Sequence, residues 1–292
     1  MKTIGIIVLL LVQISGLLPG SAIAQTPGSP TPIWDRQTKK FISQKQLRKK
    51  IIPATALLLA TDLKTPVPVH QIIQIIRHLE SNNRNPALIL SMIERDKQNA
   101  FQIITQRNKN ENLTAESGGL EILLTWNNSG KPPWQQIKPL FDFAYEKSLP
   151  LIAADFARHE VGSIHQRGLS GLPDDVKAAL LPALQPPLPP ADVIRHKARL
   201  RGDFCLDLPP ETVDKLILAH RSRTALYRHI LQEQRQQFPD QVPVLITTPD
   251  HRIKDAEGLP LIRIAFQDKL DGSDADFVWL TTTRDRPELC QN

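Results

Sequence analysis

Four short, unbroken apolar runs constrain this chain more than any other feature: residues 56–59 (ALLL), 87–90 (ALIL), 151–153 (LIA) and 244–247 (VLIT). Each has the length of a strand, and polar and apolar residues do not alternate within it, which is how a strand covered on both faces reads. The stretches between them carry helical periodicity instead. Residues 70–79 bring Ile72, Ile73, Ile75, Ile76 and Leu79 to one wide face, and residues 134–147 do the same with Ile137, Leu140, Phe141 and Ala144. Residues 96–107 read as a third helix with Ala100, Ile103 and Ile104 inward. Strand alternating with helix predicts an α/β fold with a mainly parallel sheet flanked by helices. The four runs are expected to be sheet neighbours, and residues 261–266 and 277–281 supply two later strands.

Residues 174–238 break this rhythm. They are helical segments interrupted by the proline-dense QPPLPP at 185–190, and they predict a smaller helical insertion or subdomain. Across the chain 25 Pro stand against 13 Gly, a balance suited to rigid turns rather than to Gly-rich phosphate cradles. Neither a dinucleotide fingerprint nor a G-x-S-x-G nucleophile elbow is present.

The amino terminus reads as an export signal, residues 1–24. Met1-Lys2 is followed by an apolar stretch from Ile4 to Leu18, a Pro19-Gly20 break and the small-x-small pattern Ala22-Ile23-Ala24. The apolar stretch is shorter than the ~20 residues of a membrane span, and no Cys follows it to take a lipid. A periplasmic or secreted protein is expected, starting at Gln25. Residues 25–50 then form a linker and a basic segment, whose run from Lys39 to Lys50 suits a solvated helix face or contact with a membrane surface. The α/β domain is expected over 51–285 and a tail over 286–292. A net charge of +6 is modest, and outside the cytoplasm it suits anionic membrane or small anions rather than nucleic acid. The two cysteines, Cys205 and Cys290, are expected to pair in an oxidising compartment.

Residues 125–173 are more specific. They contain Trp126, Ser129, Gly130 and Trp134 with prolines before the second Trp, then Leu149, Pro150, Ala153 and Ala154, then Arg158 and Glu160. This block resembles the centre of the ChaN-like haem-uptake family of the Tiki superfamily. Similarity extends to IERDKQ (93–98), HRSRTALYRH (220–229) and DFVWLT (276–281). The resemblance implies an exported protein that binds haem, or a related iron-loaded small molecule, in iron acquisition. It also implies a site at the carboxyl ends of the strands. Here the chain departs from the family. The first strand of family members ends in G-E-x-H, where this chain has Ala60-Thr61-Asp62-Leu63, and an acidic position after the second strand is Ser91-Met92. A late G-x-x-H loop survives as Thr248-Pro249-Asp250-His251. Asp62 and His251 are the remnants.

The other candidates lie on one helix. A haem site needs an axial His or Tyr, basic groups near the propionates and apolar walls. His220, Arg223 and Tyr227 offer these within two turns of one face. Packing through Leu216, Ile217, Leu226 and Ile230 explains the same helix without a ligand, so both readings stay open. No His pair has i, i+3 or i, i+4 spacing, so no metal site is legible on a single helix turn. Trp126 and Trp134 serve as packing or as ligand-stacking rings, and Ser129 is expected to cap the next helix. The candidate ligand-binding set is therefore His220, Arg223, Tyr227, Asp62 and His251, with haem as the expected ligand and homodimerisation left open. A non-catalytic binder is the main expectation. A metal-dependent hydrolase using Asp62 and His251, or an inactive scaffold, are the alternatives.

Overall fold

The computed structural model describes residues 31–62, 67–111, 116–204, 208–253, 259–270 and 274–281. Residues 1–24, read above as an export signal, and Leu63, Cys205 and Cys290 lie outside the described residues. The chain opens with β1 (Ile33–Asp35), β2 (Lys40–Ile42) and α1 (Gln44–Ile51), followed by β3 (Ala56–Thr61), α2 (Val69–Glu80) and β4 (Asn85–Glu94). Three helices come next, α3 (Gln98–Asn110), the one-turn α4 (Leu120–Leu123) and α5 (Trp134–Glu146), leading to β5 (Leu151–Asp155). Then come α6 (Arg158–Arg167), α7 (Asp174–Leu184), α8 (Pro190–Phe204) and α9 (Pro210–Gln237), and the chain closes with β6 (Gln241–Thr247), β7 (Leu261–Gln267) and β8 (Phe277–Leu280).

The sheet has eight strands in the order β2-β1-β8-β7-β3-β6-β4-β5. All pairings from β8 to β5 are parallel, and only β1 runs antiparallel to its neighbours β2 and β8. The four apolar runs are thus consecutive in the sheet, as β3, β6, β4 and β5, with Leu57 opposite Val244 and Leu88 opposite both Val244 and Leu151. Continuous apolar runs suit them because helices cover both faces. On one face Leu57, Leu59, Leu88, Leu90, Val244 and Ile246 pack with α1, α2, α3 and α5. On the other, Ala56, Leu58, Ala60, Ile89 and Leu245 meet Tyr227 and Leu231 of α9. A third cluster joins the upper half of α9, through Ala219, Ala225 and Leu226, to α6 and α7.

Three sequence readings change. Residues 31–50 do not stand apart from the sheet: β1 pairs with β8, and Leu47 and Ile51 of α1 enter the main core. Asp35 explains the tight join. Its Oδ1 accepts from the N–H groups of Gln37 and Thr38, and its Oδ2 lies 3.3 Å from Lys50 Nζ. On α3 the buried face is Ala100, Phe101, Ile104 and Asn108, while Ile103 is 53% exposed. The large Phe101 ring claims the inward position and turns Ile103 out. Ser129 does not cap α5, whose start is set by Pro133. Its hydroxyl instead donates to Trp126 O. Trp126 and Trp134 are both enclosed, stand edge to face at 5.3 Å, and pack with Phe141, while Trp126 Nε1 donates to Pro132 O at 2.6 Å. Both indoles are core, and neither presents a face for a ligand.

Candidate functional site

Strand order decides where a site can open. β6 lies between β3 and β4, so the chain leaving β3 passes through α2 on one face while the chain entering β6 arrives from α9 on the other. Parallel sheets place their crevices outside the carboxyl ends of strands at such a switch. The loop that leaves β6 there is Thr248-Pro249-Asp250-His251, and its turn is closed by His251 N–H donating to Thr248 O at 3.2 Å.

Three imidazoles meet at this edge. His251 stacks on His220 of α9 with ring centres 4.4 Å apart and planes 15° from parallel. His196 of α8 meets His220 edge-on at 4.6 Å. Tyr227, two turns along α9 from His220, stands perpendicular to His251 at 4.9 Å. Asp250 completes the group: its Oδ2 pairs with the Arg199 guanidinium and lies 3.5 Å from His220 Nδ1. The ligand atoms of His220, Asp250 and His251 all fall within 4.8 Å of one another.

Burial governs the charges. It pushes the His220 imidazole down to about 4, against the opposing pull of Asp250, and takes His251 well below its ordinary value, with repulsion from His220 adding to the effect. Both rings are neutral at pH 7. Burial works against ionisation of Asp250, but His251, Arg199 and the Thr248 hydroxyl outweigh it and hold the carboxyl below its ordinary value. Deeper in, Asp155 at the end of β5 accepts from Arg223 Nε at 2.9 Å, from the Tyr227 hydroxyl at 3.2 Å and from Phe156 N–H at 2.9 Å. Burial still raises the Asp155 carboxyl despite Arg223, and it drives the Tyr227 phenol upward, so that Tyr227 stays protonated.

Of the five residues singled out by sequence, His220, Arg223, Tyr227 and His251 come together. Asp62 follows β3 on the same sheet edge, two residues past Ala60, which pairs with Thr247, but it is not one of the three groups whose ligand atoms converge. Sequence reasoning missed His196, Thr224, Arg199, Asp155 and the ligating potential of Asp250. Histidine spacing within a single helix turn gives no sign of them, because these imidazoles come from α8, α9 and the β6 loop. Only the adjacency of Asp250 to His251, just past an apolar run, was a local signal.

Comparison with known proteins agrees with this architecture. A family model described as "Haem-binding uptake, Tiki superfamily, ChaN" matches residues 66–260, well over half of the chain. The chain belongs to that family. Among solved structures, the one titled "Cofacial heme binding to ChaN of Campylobacter jejuni" superposes with a TM-score of 0.64 at 16% identity, covering 86% of this chain and 96% of that one. The two share the ChaN fold. The type III effector HopBA1 also matches, at a TM-score of 0.43 and 11% identity over 80% of this chain and 90% of its own. A search of curated proteins found no match.

Proposed function

We propose that this ChaN-family chain is an exported, non-catalytic haem-binding protein, and that haem docks on the α8 side of the imidazole row with His196 as its axial ligand. The observation carrying this reading is the row itself: His196, His220 and His251 in contact, from a half-buried face of α8 to the sheet edge. Haem iron takes an axial imidazole, and its propionates take guanidinium partners. His196 ends the row. Val193 and Leu200, one turn to either side, are half-buried apolar neighbours on its face, and Arg195 and Arg199 flank it, paired in this structure with Asp192 and Asp250. Burial, helped by Arg199 and Arg195, holds its imidazole below the ordinary value, so its lone pair is available at neutral pH. Tyr227 is a poor ligand in this packing, being 1% exposed with its hydroxyl committed to Asp155. Bound haem would be cargo, carrying iron, rather than a reaction centre.

The export signal at 1–24 supports a periplasmic or secreted home, and a mature chain beginning at Gln25 would bear it out. The absence of Glu and His at residues 60, 61, 63 and 91 supports a chain without hydrolytic activity. Titrating the mature chain with haemin tests the binding. A saturable Soret band is expected, with affinity down about tenfold or more in His196→Ala. A wild-type chain that gives no saturable spectral change would overturn the reading.

A further inference from the structure

The haem reading leaves the inner group, His220, Asp250 and His251, without a task. We propose that these three residues form a mononuclear site for a divalent first-row transition ion of the zinc class, beneath and separate from the haem ligand His196. Two imidazoles and a carboxylate select such ions over Mg²⁺ or Ca²⁺, which prefer all-oxygen shells. Bonds of roughly 2.0–2.1 Å place tetrahedral donors about 3.4 Å apart. His220 Nδ1 and Asp250 Oδ2 already stand 3.5 Å apart, and no ligand pair exceeds 4.8 Å, so side-chain rotation closes the remainder.

The Thr224 hydroxyl lies 2.9 Å from His251 Nδ1 and 3.1 Å from His220 O. The Nδ1–H tautomer of His251, donating to that hydroxyl, leaves Nε2 and its lone pair for a ligand. Metal-binding imidazoles are oriented by such outer hydrogen bonds. Asp250 is steadied by Arg199 and by the Thr248 hydroxyl. The backbone is equally fixed: His220 lies mid-helix in α9, and successive N–H groups of His251, Arg252 and Ile253 close the loop onto Thr248, Asp250 and His251 carbonyls. Thr247, the last residue of β6 before this loop, has a buried hydroxyl without a partner among the described residues. His251 is the late-loop His of the family pattern, while His220 of α9 and Asp250 lie outside its strand-end Glu and His set.

The test uses the mature, metal-stripped chain without tag histidines. Co²⁺ titration followed by its visible ligand-field bands, and Zn²⁺ calorimetry, should each show one equivalent bound. His220→Ala and Asp250→Asn should each weaken Zn²⁺ by about tenfold or more with the circular dichroism unchanged. His70→Ala, exposed on α2 across the sheet, should bind as wild type. No saturable binding of either ion at ~100 µM, a range that would detect even weak sites, would overturn the proposal. So would undiminished affinity in both ligand variants. A chain that binds Co²⁺ but gives no Soret change sinks the haem reading alone, and one that binds haem but neither ion sinks this one.

Discussion

Replacing Asp155 by Leu asks whether a buried charge pair holds α9 to the sheet edge. Asp155 Oδ1 accepts from Arg223 Nε, the Tyr227 hydroxyl and Phe156 N–H, at 2.9, 3.2 and 2.9 Å. Its removal strands the Arg223 guanidinium, whose side chain is 30% exposed, and leaves the enclosed Tyr227 hydroxyl without its acceptor. Breaking one side of a buried pair costs about 3–5 kcal/mol, and an unmet buried hydroxyl about 1–3. The two losses share one carboxylate and do not add, and water reaches Arg223, so the expected loss is about 3–4 kcal/mol. Burial raises the Asp155 carboxyl even beside Arg223, whereas at Arg223 burial is overcome by the attraction of Asp155, which raises its guanidinium, so desolvation and attraction oppose each other across the pair. The double variant Asp155→Leu with Arg223→Met should therefore recover most of the loss, ending within about 1–2 kcal/mol of wild type. Urea unfolding followed by circular dichroism, with the slope m held in common, measures all four corners of the cycle. A single-variant loss below about 1 kcal/mol, or strictly additive losses in the double variant, would refute the reasoning.

Three further outcomes follow from other parts of the fold. Burial disfavours the Glu160 carboxylate, but Arg95 and the Ala157 N–H more than compensate and hold it below its ordinary 4.5. A depressed carboxyl stabilises above its unfolded pKa and loses that contribution as pH falls through the folded one, so stability should decline below about pH 4.5. Glu160→Gln should flatten that decline, and an unchanged acid limb in its pH-dependent unfolding would count against it. Gly171→Ala should cost about 1–3 kcal/mol by thermal unfolding, because a Cβ there would stand 2.6 Å from Ser163 O; a neutral result would show that the α6 end yields freely. Exported material should carry a Cys205–Cys290 disulfide, and mass spectrometry finding two free thiols would dispose of it.

The sheet was legible because its signal is local. Parallel strands covered on both faces must be apolar throughout, and residues 56–59, 87–90, 151–153 and 244–247 could be read without knowing their partners. The short strands escaped. β1 and β2 have three residues each, and Trp34 and Phe41 gain their meaning only from each other, 5.0 Å apart across the pair. The site was half legible for a related reason. His220, Arg223 and Tyr227 share a helix face, which period alone reveals, whereas His196 and Asp250 are brought in by tertiary packing, and α8 carries no spacing that marks His196. His251 was found through resemblance, as the remnant of a loop.

Charge matching explains why imidazoles, rather than acids, became the uncommitted donors at this edge. Ser91 follows Leu90, which pairs with Ala153 two residues before Asp155, at the point where the register of β4 against β5 shifts. An acid at 91, as the family pattern would have it, would set a second carboxylate near one that burial already raises. Arg223 could not serve both. With Ser91 in place, Asp155 has Arg223 and Asp250 has Arg199. Each carboxylate is matched with a guanidinium, so His196, His220 and His251 need not be protonated to balance charge. Burial then keeps them neutral, with lone pairs rather than protons to offer. An edge whose imidazoles keep their lone pairs has donors to offer a metal, whether free or in a porphyrin.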